Sequence, residues 1–131
     1  MSKYIYPAIF TPEKGGAYSV DFPDLEGCFT SGESLQEAFA MAEDALSLML
    51  FHFEQEKRPI PEPSNMNDIK KKKNEFVSLI PCDTIGYQKM HNNKAVKKTL
   101  TIPEWLNELS VNAGVNFSQV LQDGLMQKLG I

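Results

Sequence analysis

Alternating apolar and polar residues predict a small antiparallel sheet in the first part of the chain. Residues 4–10 are rich in aromatic and β-branched side chains, and residues 17–22 alternate Tyr, Val and Phe with Ser and Asp. Such residues at a period of two favour strands, and the glycines between the two segments suit a hairpin turn. Pro7 favours an edge or a bulge within the first strand. Further short strands are predicted over residues 28–31 and 76–80.

One long amphipathic helix is predicted after the third strand. Ser34 and Glu37 have the spacing of a capping box at its start, and the prolines between residues 58 and 64 exclude a helix there. Acidic residues lie on the face opposite the apolar one. The apolar face comprises Leu35, Ala38, Phe39, Ala42, Leu46, Met49, Leu50 and Phe53. The order βββαβ predicts an α+β domain in which one helix crosses an antiparallel sheet.

A polar segment that holds Gly86, Asn92 and Asn93, residues 84–93, predicts a hinge between two domains, residues 1–83 and 94–131. The second domain begins with a segment of strand period, which Pro103 ends. Its apolar positions are Val96, Leu100 and Ile102, and its polar positions are Lys97, Thr99 and Thr101.

Two short helices complete the second predicted domain. Leu106 and Leu109 share one face of the first helix, which Gly114 ends. Asn116 can cap the second helix, with Gln119 three residues further on. The apolar stripe of that helix comprises Phe117, Val120, Leu121, Leu125 and Leu129.

This second domain is too small to bury a core alone, because fewer than about forty residues seldom form an independent domain. Its lone strand also lacks a partner. Two copies would solve both problems, with the strands paired as an antiparallel ribbon above interlocked helices. The predicted homodimer contacts are Val96, Leu100, Ile102, Leu106, Leu109, Phe117, Val120, Leu121 and Leu125. Alternatively, the segment completes the core of a larger domain.

A two-stranded ribbon of this kind fits the major groove of double-stranded DNA. Its free face would present Lys97, Thr99 and Thr101 to the bases, since Lys donates to guanine and Thr contacts either type of edge. The amino end of the last helix, at Asn116, Phe117 and Ser118, offers free backbone amides to a phosphate. These six residues are the predicted DNA-binding set.

The sequences Lys97-Lys-Thr-Leu-Thr-Ile-Pro-Glu-Trp-Leu106 and Ala113-Gly-Val-Asn-Phe-Ser-Gln-Val-Leu121 resemble the ribbon-helix-helix family of repressors. One position departs from the pattern, because Lys98 falls on the face that should point inward. Either its stem lies along the edge of the core with the ammonium in water, or the register differs near the start of the strand.

Charge divides unevenly along the chain, which has a net charge of −4. Residues 1–65 carry eleven acidic and four basic side chains, a net −7, while residues 66–131 carry six and nine, a net +3. The acidic half would suit a basic protein, and the basic half would suit nucleic acid.

Several features predict a cytoplasmic protein with no membrane segment. No apolar run reaches membrane-spanning length, and the first residues do not form a signal peptide. Cys28 and Cys82 lack the spacing of a metal site, so we expect reduced thiols.

Three further stretches resemble the HicB antitoxin family: Tyr6-Pro-Ala-Ile-Phe10, then Gly16-Ala-Tyr-Ser-Val-Asp-Phe-Pro-Asp-Leu-Glu-Gly-Cys28, and Gly32-Glu-Ser-Leu-Gln-Glu-Ala-Phe-Ala40. The resemblance implies a partial ribonuclease-H-like front domain before a DNA-binding tail. It implies an antitoxin of a type II toxin–antitoxin system, which inactivates a HicA-type mRNA-cleaving toxin and represses its own operon through operator DNA. A larger assembly of the homodimer with the toxin is a further expectation. Within the front domain, we expect toxin contacts at Asp21, Asp24, Leu25 and Glu26.

The ribonuclease-H-like resemblance also raises the alternative of a metal-dependent nuclease, since active members place carboxylates around metal ions. Asp21, Asp24 and Glu26 could bind a cation, although Asp is common in turns for local reasons. His52 and His91 have no neighbour that suggests a triad or a zinc site, and no phosphate-binding glycine loop is visible. We therefore expect no catalytic residue, metal or cofactor. A repressor that senses a small ligand is a third alternative, but it leaves the acidic half without a macromolecular partner.

Overall fold

The strands and helices of the first part of the chain follow the predicted order. The computed structural model describes residues 3–131 and divides the chain into two units, which we call unit 1, ending at Lys94, and unit 2, Ala95–Ile131. Unit 1 contains β1 (Lys3–Pro12), β2 (Tyr18–Asp21), β3 (Phe29–Gly32), α1 (Leu35–Gln55), β4 (Phe76–Asp83) and α2 (Thr84–His91). Short 3-10 turns lie at Lys14–Gly16 and Met66–Asp68. Unit 2 contains α3 (Glu104–Asn112) and α4 (Phe117–Leu129). The predicted α+β class with an antiparallel sheet is confirmed.

The four strands form one antiparallel sheet in the order β3-β2-β1-β4. Phe10 of β1 lies opposite Val20 of β2 on one side and Phe76 of β4 on the other. β2 joins β1 only from Ile9 onward, so Pro7 has a neighbouring strand on one side alone. Proline has no amide hydrogen to donate, and here no strand on the second side needs one. The position therefore agrees with the predicted edge position.

α1 crosses the sheet because its start is capped and its apolar stripe is buried. The hydroxyl of Ser34 accepts a hydrogen bond from the amide of Glu37 at 3.1 Å, while the carboxylate of Glu37 accepts one from the amide of Glu33 at 3.3 Å. Leu35 was predicted on the buried face but is 42% exposed in the first turn. The side chains of the core are Tyr6, Ala8, Phe10, Val20, Phe22, Leu25, Cys28, Ala38, Ala42, Leu46, Leu50, Ile80 and Cys82.

α1 and β3 approach closely at Gly32. A Cβ atom at this position would lie 2.4 Å from the backbone nitrogen of Ala38, well inside van der Waals contact. Only glycine fits this contact without a backbone shift, which explains its place at the end of β3.

The predicted hinge is corrected over most of its length, because residues 84–91 form α2. The carboxylate of Asp83 caps this helix by accepting hydrogen bonds from two backbone amides of the first turn, both at 3.1 Å. The Tyr87 ring packs on Phe51 of α1 with 5.7 Å between ring centroids. The polar residues of this segment therefore reflect the solvent-facing side of a packed helix, and the boundary between the units moves to Lys94.

Unit 2 has the two predicted helices but lacks the predicted strand, since residues 92–103 have no regular secondary structure. A strand needs a neighbour for its backbone hydrogen bonds, and the single chain supplies none to this segment. The helix signals are confirmed. Gly114 follows α3 with a φ of 69°, and the side chain of Asn116 caps α4 by accepting from the amide of Gln119 at 3.1 Å.

Candidate interaction surfaces

The large apolar side chains of unit 2 are all exposed in the single chain, and their exposed fractions run from 37% at Val115 to 77% at Val96. They include every residue predicted to form the homodimer: Val96, Leu100, Ile102, Leu106, Leu109, Phe117, Val120, Leu121 and Leu125. Monomeric proteins rarely leave a large contiguous apolar patch uncovered.

A groove of about 450 Å³ runs between the extended segment and α4. Five of the predicted dimer contacts line it: Leu100, Ile102, Phe117, Val120 and Leu121. Lys98, Asn107 and Ser118 complete the lining. The other predicted dimer contacts, Val96, Leu106, Leu109 and Leu125, are exposed but do not line it.

The period-two pattern of the extended segment persists without a partner strand. Lys98, Leu100 and Ile102 line the groove, while Lys97, Thr99 and Thr101 are exposed and lie outside its lining. Lys98 therefore lies on the inward side, which is the register predicted from the sequence.

The predicted phosphate contacts at the start of α4 fall into two groups. The side chain of Asn116 is used as the helix cap. Phe117 and Ser118 line the groove together with the predicted dimer contacts. The geometry thus places these two side chains beside the apolar face, and any phosphate contact here would come from the backbone amides.

Charge looks different when it is counted by unit. Unit 2 is neutral, because its lysines equal its carboxylates in number: Lys97, Lys98 and Lys128 against Glu104, Glu108 and Asp123. The run Lys70–Lys73, together with Lys89 and Lys94, belongs to unit 1. The net +3 of residues 66–131 therefore lies entirely in residues 66–94 of unit 1, so the charge argument for nucleic acid does not apply to unit 2 by itself.

The acidic turn of unit 1 does not hold its four predicted toxin contacts on one surface. Hydrogen bonds from the Leu25 amide to the Phe22 carbonyl and from the Cys28 amide to the Leu25 carbonyl, both 3.1 Å, close the turn. Leu25 is 2% exposed and belongs to the core, so its predicted contact is corrected. Asp24 accepts hydrogen bonds from the Ser64 amide, at 2.8 Å, and from the Ser64 hydroxyl.

The two remaining acidic residues are accessible. Glu26 is exposed in the turn, and Asp21 is exposed at the end of β2, although partial burial raises the pKa of the Asp21 carboxyl above its ordinary value. Within residues 3–131, no group of three or more His, Cys, Asp or Glu side chains is placed to hold a metal ion.

The sheet face opposite α1 carries exposed apolar side chains that the sequence prediction did not single out. Phe29 is 71% exposed, Ile5 55% and Leu79 49%. Asp21 lies between Ile9 and Phe29 in one row across three strands. The alternation in β1 did contain the signal, because Ile5 and Ile9 fall on the side opposite Tyr6 and Phe10. We call this surface the open sheet face.

The chain also resembles known proteins. A family model described as a HicB-like antitoxin of bacterial toxin–antitoxin systems matches residues 6–127. Antitoxin HicB of Escherichia coli strain K12 is 42% identical over 65 residues, covering 48% of this chain and 47% of that protein. The match thus spans about half the length of that relative.

Two solved structures share the fold. A chain of a toxin–antitoxin complex from Streptococcus pneumoniae is 30% identical, with a TM-score of 0.63 over 96% of this chain and 99% of that chain. A chain from a HicA3 and HicB3 toxin–antitoxin complex is 24% identical, with a TM-score of 0.50 over 61% of this chain and 99% of that chain.

In the part of the chain that the structure describes, no helix has both the length and the apolar character needed to cross a bilayer. The family model includes almost all of both units. The chain belongs to the HicB-like antitoxins of bacterial toxin–antitoxin systems.

Proposed function

We propose that unit 1 binds and inactivates a HicA-type mRNA-cleaving toxin, and that unit 2 binds operator DNA as a homodimer to repress the operon. One observation carries this proposal: a single family model of antitoxins matches residues 6–127 and therefore includes both units. The proposal includes a partial ribonuclease-H-like character for unit 1, a ribbon-helix-helix arrangement for unit 2 and a cytoplasmic location. Assembly of the homodimer with toxin into a larger complex is part of the same proposal.

The charge of unit 1 supports a basic protein partner. Up to Lys94 it carries fourteen acidic and ten basic side chains, a net charge of −4. An acidic surface speeds encounter with a basic partner and disfavours acidic competitors. One of the structural relatives comes from a complex of HicA3 with HicB3, which supports a HicA-type partner here.

Within unit 1, we assign the toxin contact to the open sheet face. Phe29 exposes most of its aromatic ring there, and Asp21 lies beside it in the cross-strand row. Buried aromatic anchors dominate the binding energy of many interfaces, and a carboxylate beside such an anchor would pair with a basic toxin.

The exposed face of unit 2 supports the homodimer. The extended segment lacks a strand partner, and the groove beside it is lined with apolar side chains. A second copy would supply both the missing strand and the missing apolar cover. The resulting ribbon would present Lys97, Thr99 and Thr101 twice, at the spacing that a two-stranded ribbon uses in the major groove.

Co-expression with the small open reading frame beside the gene tests the whole proposal. We expect growth rescue from the toxin, co-purification of the two proteins, and a gel shift with the promoter of the operon. Failure to rescue growth and to co-purify would refute the toxin function. Absence of a gel shift would refute repression. Cleavage of RNA by the purified chain with Mg²⁺ or Mn²⁺ would favour the nuclease alternative instead.

The open sheet face has a matched pair of variants. Phe29→Arg should abolish capture by tagged toxin, because it removes the anchor and adds a repulsive charge. Leu48→Arg places the same charge at a side chain of α1 that is 41% exposed, and it should leave capture unchanged. Equal capture by both variants would place the toxin elsewhere on unit 1.

A further inference from the structure

Four consecutive lysines form a turn in unit 1 that neither toxin binding nor the predicted ribbon uses. Residues Lys70–Lys73, which we call the lysine turn, lie between the 3-10 turn Met66–Asp68 and β4, and all four side chains are exposed. A charge run of this kind is often only a solvated loop. Here the backbone around it is held in place.

Glu75 fastens the lysine turn to the sheet. Its carboxylate accepts a hydrogen bond from the backbone amide of Lys72 at 2.7 Å and another from the hydroxyl of Thr11 at 2.5 Å. Its own amide donates to the carbonyl of Lys72 at 3.1 Å. The hydrogen bond from Thr11 lowers the pKa of this carboxyl, with help from the Lys72 amide and the nearby lysines. The turn therefore has a defined position beside β1.

A fifth lysine lies at the same end of the sheet. Thr11 precedes the hairpin turn that contains Lys14, so this hairpin and the lysine turn both lie where β4 begins. The carboxylates at this end are Glu13, Asp68 and Glu75, with Glu33 and Glu37 where β3 ends and α1 begins. Glu13 accepts a hydrogen bond from the Ser19 hydroxyl at 3.1 Å. The excess of lysine is therefore local to the lysine turn. Residues 66–75 carry four lysines against two carboxylates, a net charge of +2 in a unit whose net charge is −4.

The proposed DNA-binding unit lacks such a surplus of positive charge. Unit 2 is neutral, whereas affinity for duplex DNA depends strongly on neutralising phosphates with lysine and arginine. Residues 92–103 join the units without regular secondary structure. Residues 96–102 would form the ribbon, which leaves residues 92–95 as the connection between the units. Four residues extend to at most about 14 Å, so unit 1 would stay close to DNA that unit 2 binds.

We propose that the lysine turn binds backbone phosphates of the DNA that flanks the operator. Duplex DNA fits better than single-stranded RNA, because binding of single strands relies on aromatic side chains that stack on bases, and residues 66–75 contain no aromatic residue. Lysine ammonium groups act on phosphates as point charges without reading sequence. The dimer would apply two such turns, one on each side of the operator. The inference rests on the proposed function of unit 2.

The test uses the full chain with three lysines replaced: Lys70→Gln, Lys71→Gln and Lys73→Gln together. Lys72 stays, since it adjoins Glu75. The matched control replaces three lysines elsewhere in unit 1: Lys3→Gln, Lys57→Gln and Lys89→Gln. Fluorescence anisotropy measures operator affinity across a salt series, on a long duplex with both flanks and on a duplex trimmed to the operator.

On the long duplex, we expect the lysine-turn variant to bind more weakly than the control and with a shallower salt dependence. The slope of log affinity against log salt should fall by roughly 0.9 for each phosphate that the variant no longer neutralises. Preference for the operator over unrelated sequence should stay unchanged. On the trimmed duplex, the two variants should bind alike. Capture of toxin by both variants reports that unit 1 is folded.

An unchanged slope on the long duplex, with normal operator binding by the unmodified chain, would overturn this inference alone. No operator binding by the unmodified chain at any salt concentration would overturn the proposed function of unit 2 and this inference with it. Loss of binding to single-stranded RNA, with duplex binding intact, would assign the lysine turn to RNA and also overturn the inference.

Discussion

The two units of this antitoxin treat their apolar side chains in opposite ways. In unit 1, Phe10, Leu46 and Ile80 are 0% exposed between the sheet and α1. In unit 2, even the least exposed large apolar side chain, Val115, keeps 37% of its surface accessible. Burial of apolar surface contributes about 25 cal/mol per Å². Unit 1 gains this stabilisation within one chain, while the apolar side chains of unit 2 remain exposed there.

Local helix signals do not explain this difference. Ser34 caps α1 and Asn116 caps α4 with hydrogen bonds of the same length, 3.1 Å. Both helices carry an apolar stripe. What differs is the surface available to cover the stripe, because α1 has a four-stranded sheet beneath it. The comparison teaches that local signals are enough to specify the helices of unit 2 but do not give it a buried core within one chain.

The largest expected effect is a loss of folding stability when a buried aromatic side chain of the sheet is removed, compared with removal of an exposed one from the same sheet. Phe10 stacks on Phe39 and Phe76 with ring centroids 4.5 and 4.9 Å apart. Phe10→Ala should lower the free energy of unfolding of unit 1 by about 3–5 kcal/mol, measured by urea denaturation. Phe29→Ala, at a side chain that is 71% exposed, should change it by less than about 0.5 kcal/mol. Similar losses for both variants would contradict the core described here.

A second pair of variants tests whether the exposed face of unit 2 is covered in solution. Val120 and Val111 are 58% and 57% exposed in the single chain, but only Val120 lines the groove. Val120→Asp should weaken the dimer by about 3 kcal/mol, because it buries an unpaired charge. Val111→Asp should leave the dimer intact. Sedimentation velocity measures the fraction of dimer that each variant forms. Equal dimer fractions for the two variants would show that the groove is not part of the dimer interface.

A smaller effect is expected on the side of the extended segment that is predicted to face DNA. Thr99→Ala and Lys97→Ala should each cost about 1–3 kcal/mol on the operator and relax its sequence preference, if these side chains reach base edges. Lys128→Ala, at the last turn of α4, is the control and should have little effect. Equal losses on operator and unrelated DNA would reassign Lys97 and Thr99 to phosphate contacts.

The smallest expected effect is on the reactivity of the two cysteine thiols, measured in the variants Phe10→Ala and Val120→Asp of the first two tests. Burial raises the pKa of Cys28 to about 11 and raises that of Cys82, so both thiols stay protonated at pH 8 and react slowly with a thiol reagent. Because burial protects them, Phe10→Ala should speed their modification. Val120→Asp should not, since every residue of the unit 1 core lies before Lys94. Faster reaction in both variants would show that the two units share stability.

Much of unit 1 and the helices of unit 2 were predictable because their signals are local. Ser34, Asn116 and Gly114 fix helix ends through bonds and backbone angles within a few residues. Strand alternation predicted the βββαβ order for the same reason. The open sheet face was also encoded in that alternation, through Ile5 on the side opposite Tyr6.

The errors arose where contacts distant in sequence decide the structure. The polar segment after Asp83 forms α2 because Tyr87 finds Phe51 on another helix. Leu25 belongs to the core with Leu46 and Ile80, which are distant from it in sequence. Lys70–Lys73 fall in the basic half of the sequence but in unit 1 of the structure, because the charge was counted from the midpoint of the chain and not from the domain boundary. The predicted strand of residues 96–102 is absent, because no other segment of residues 3–131 pairs with it.

Sedimentation equilibrium of the full chain beside a fragment of residues 1–94 tests the central claim most directly. That claim is that unit 1 is complete in one chain and unit 2 is completed by a second copy. We predict that the full chain has twice the mass of one chain at micromolar concentration, and that the fragment is folded and monomeric. A stable full-length monomer at micromolar concentration would contradict the account, as would a fragment that dimerises as strongly as the full chain.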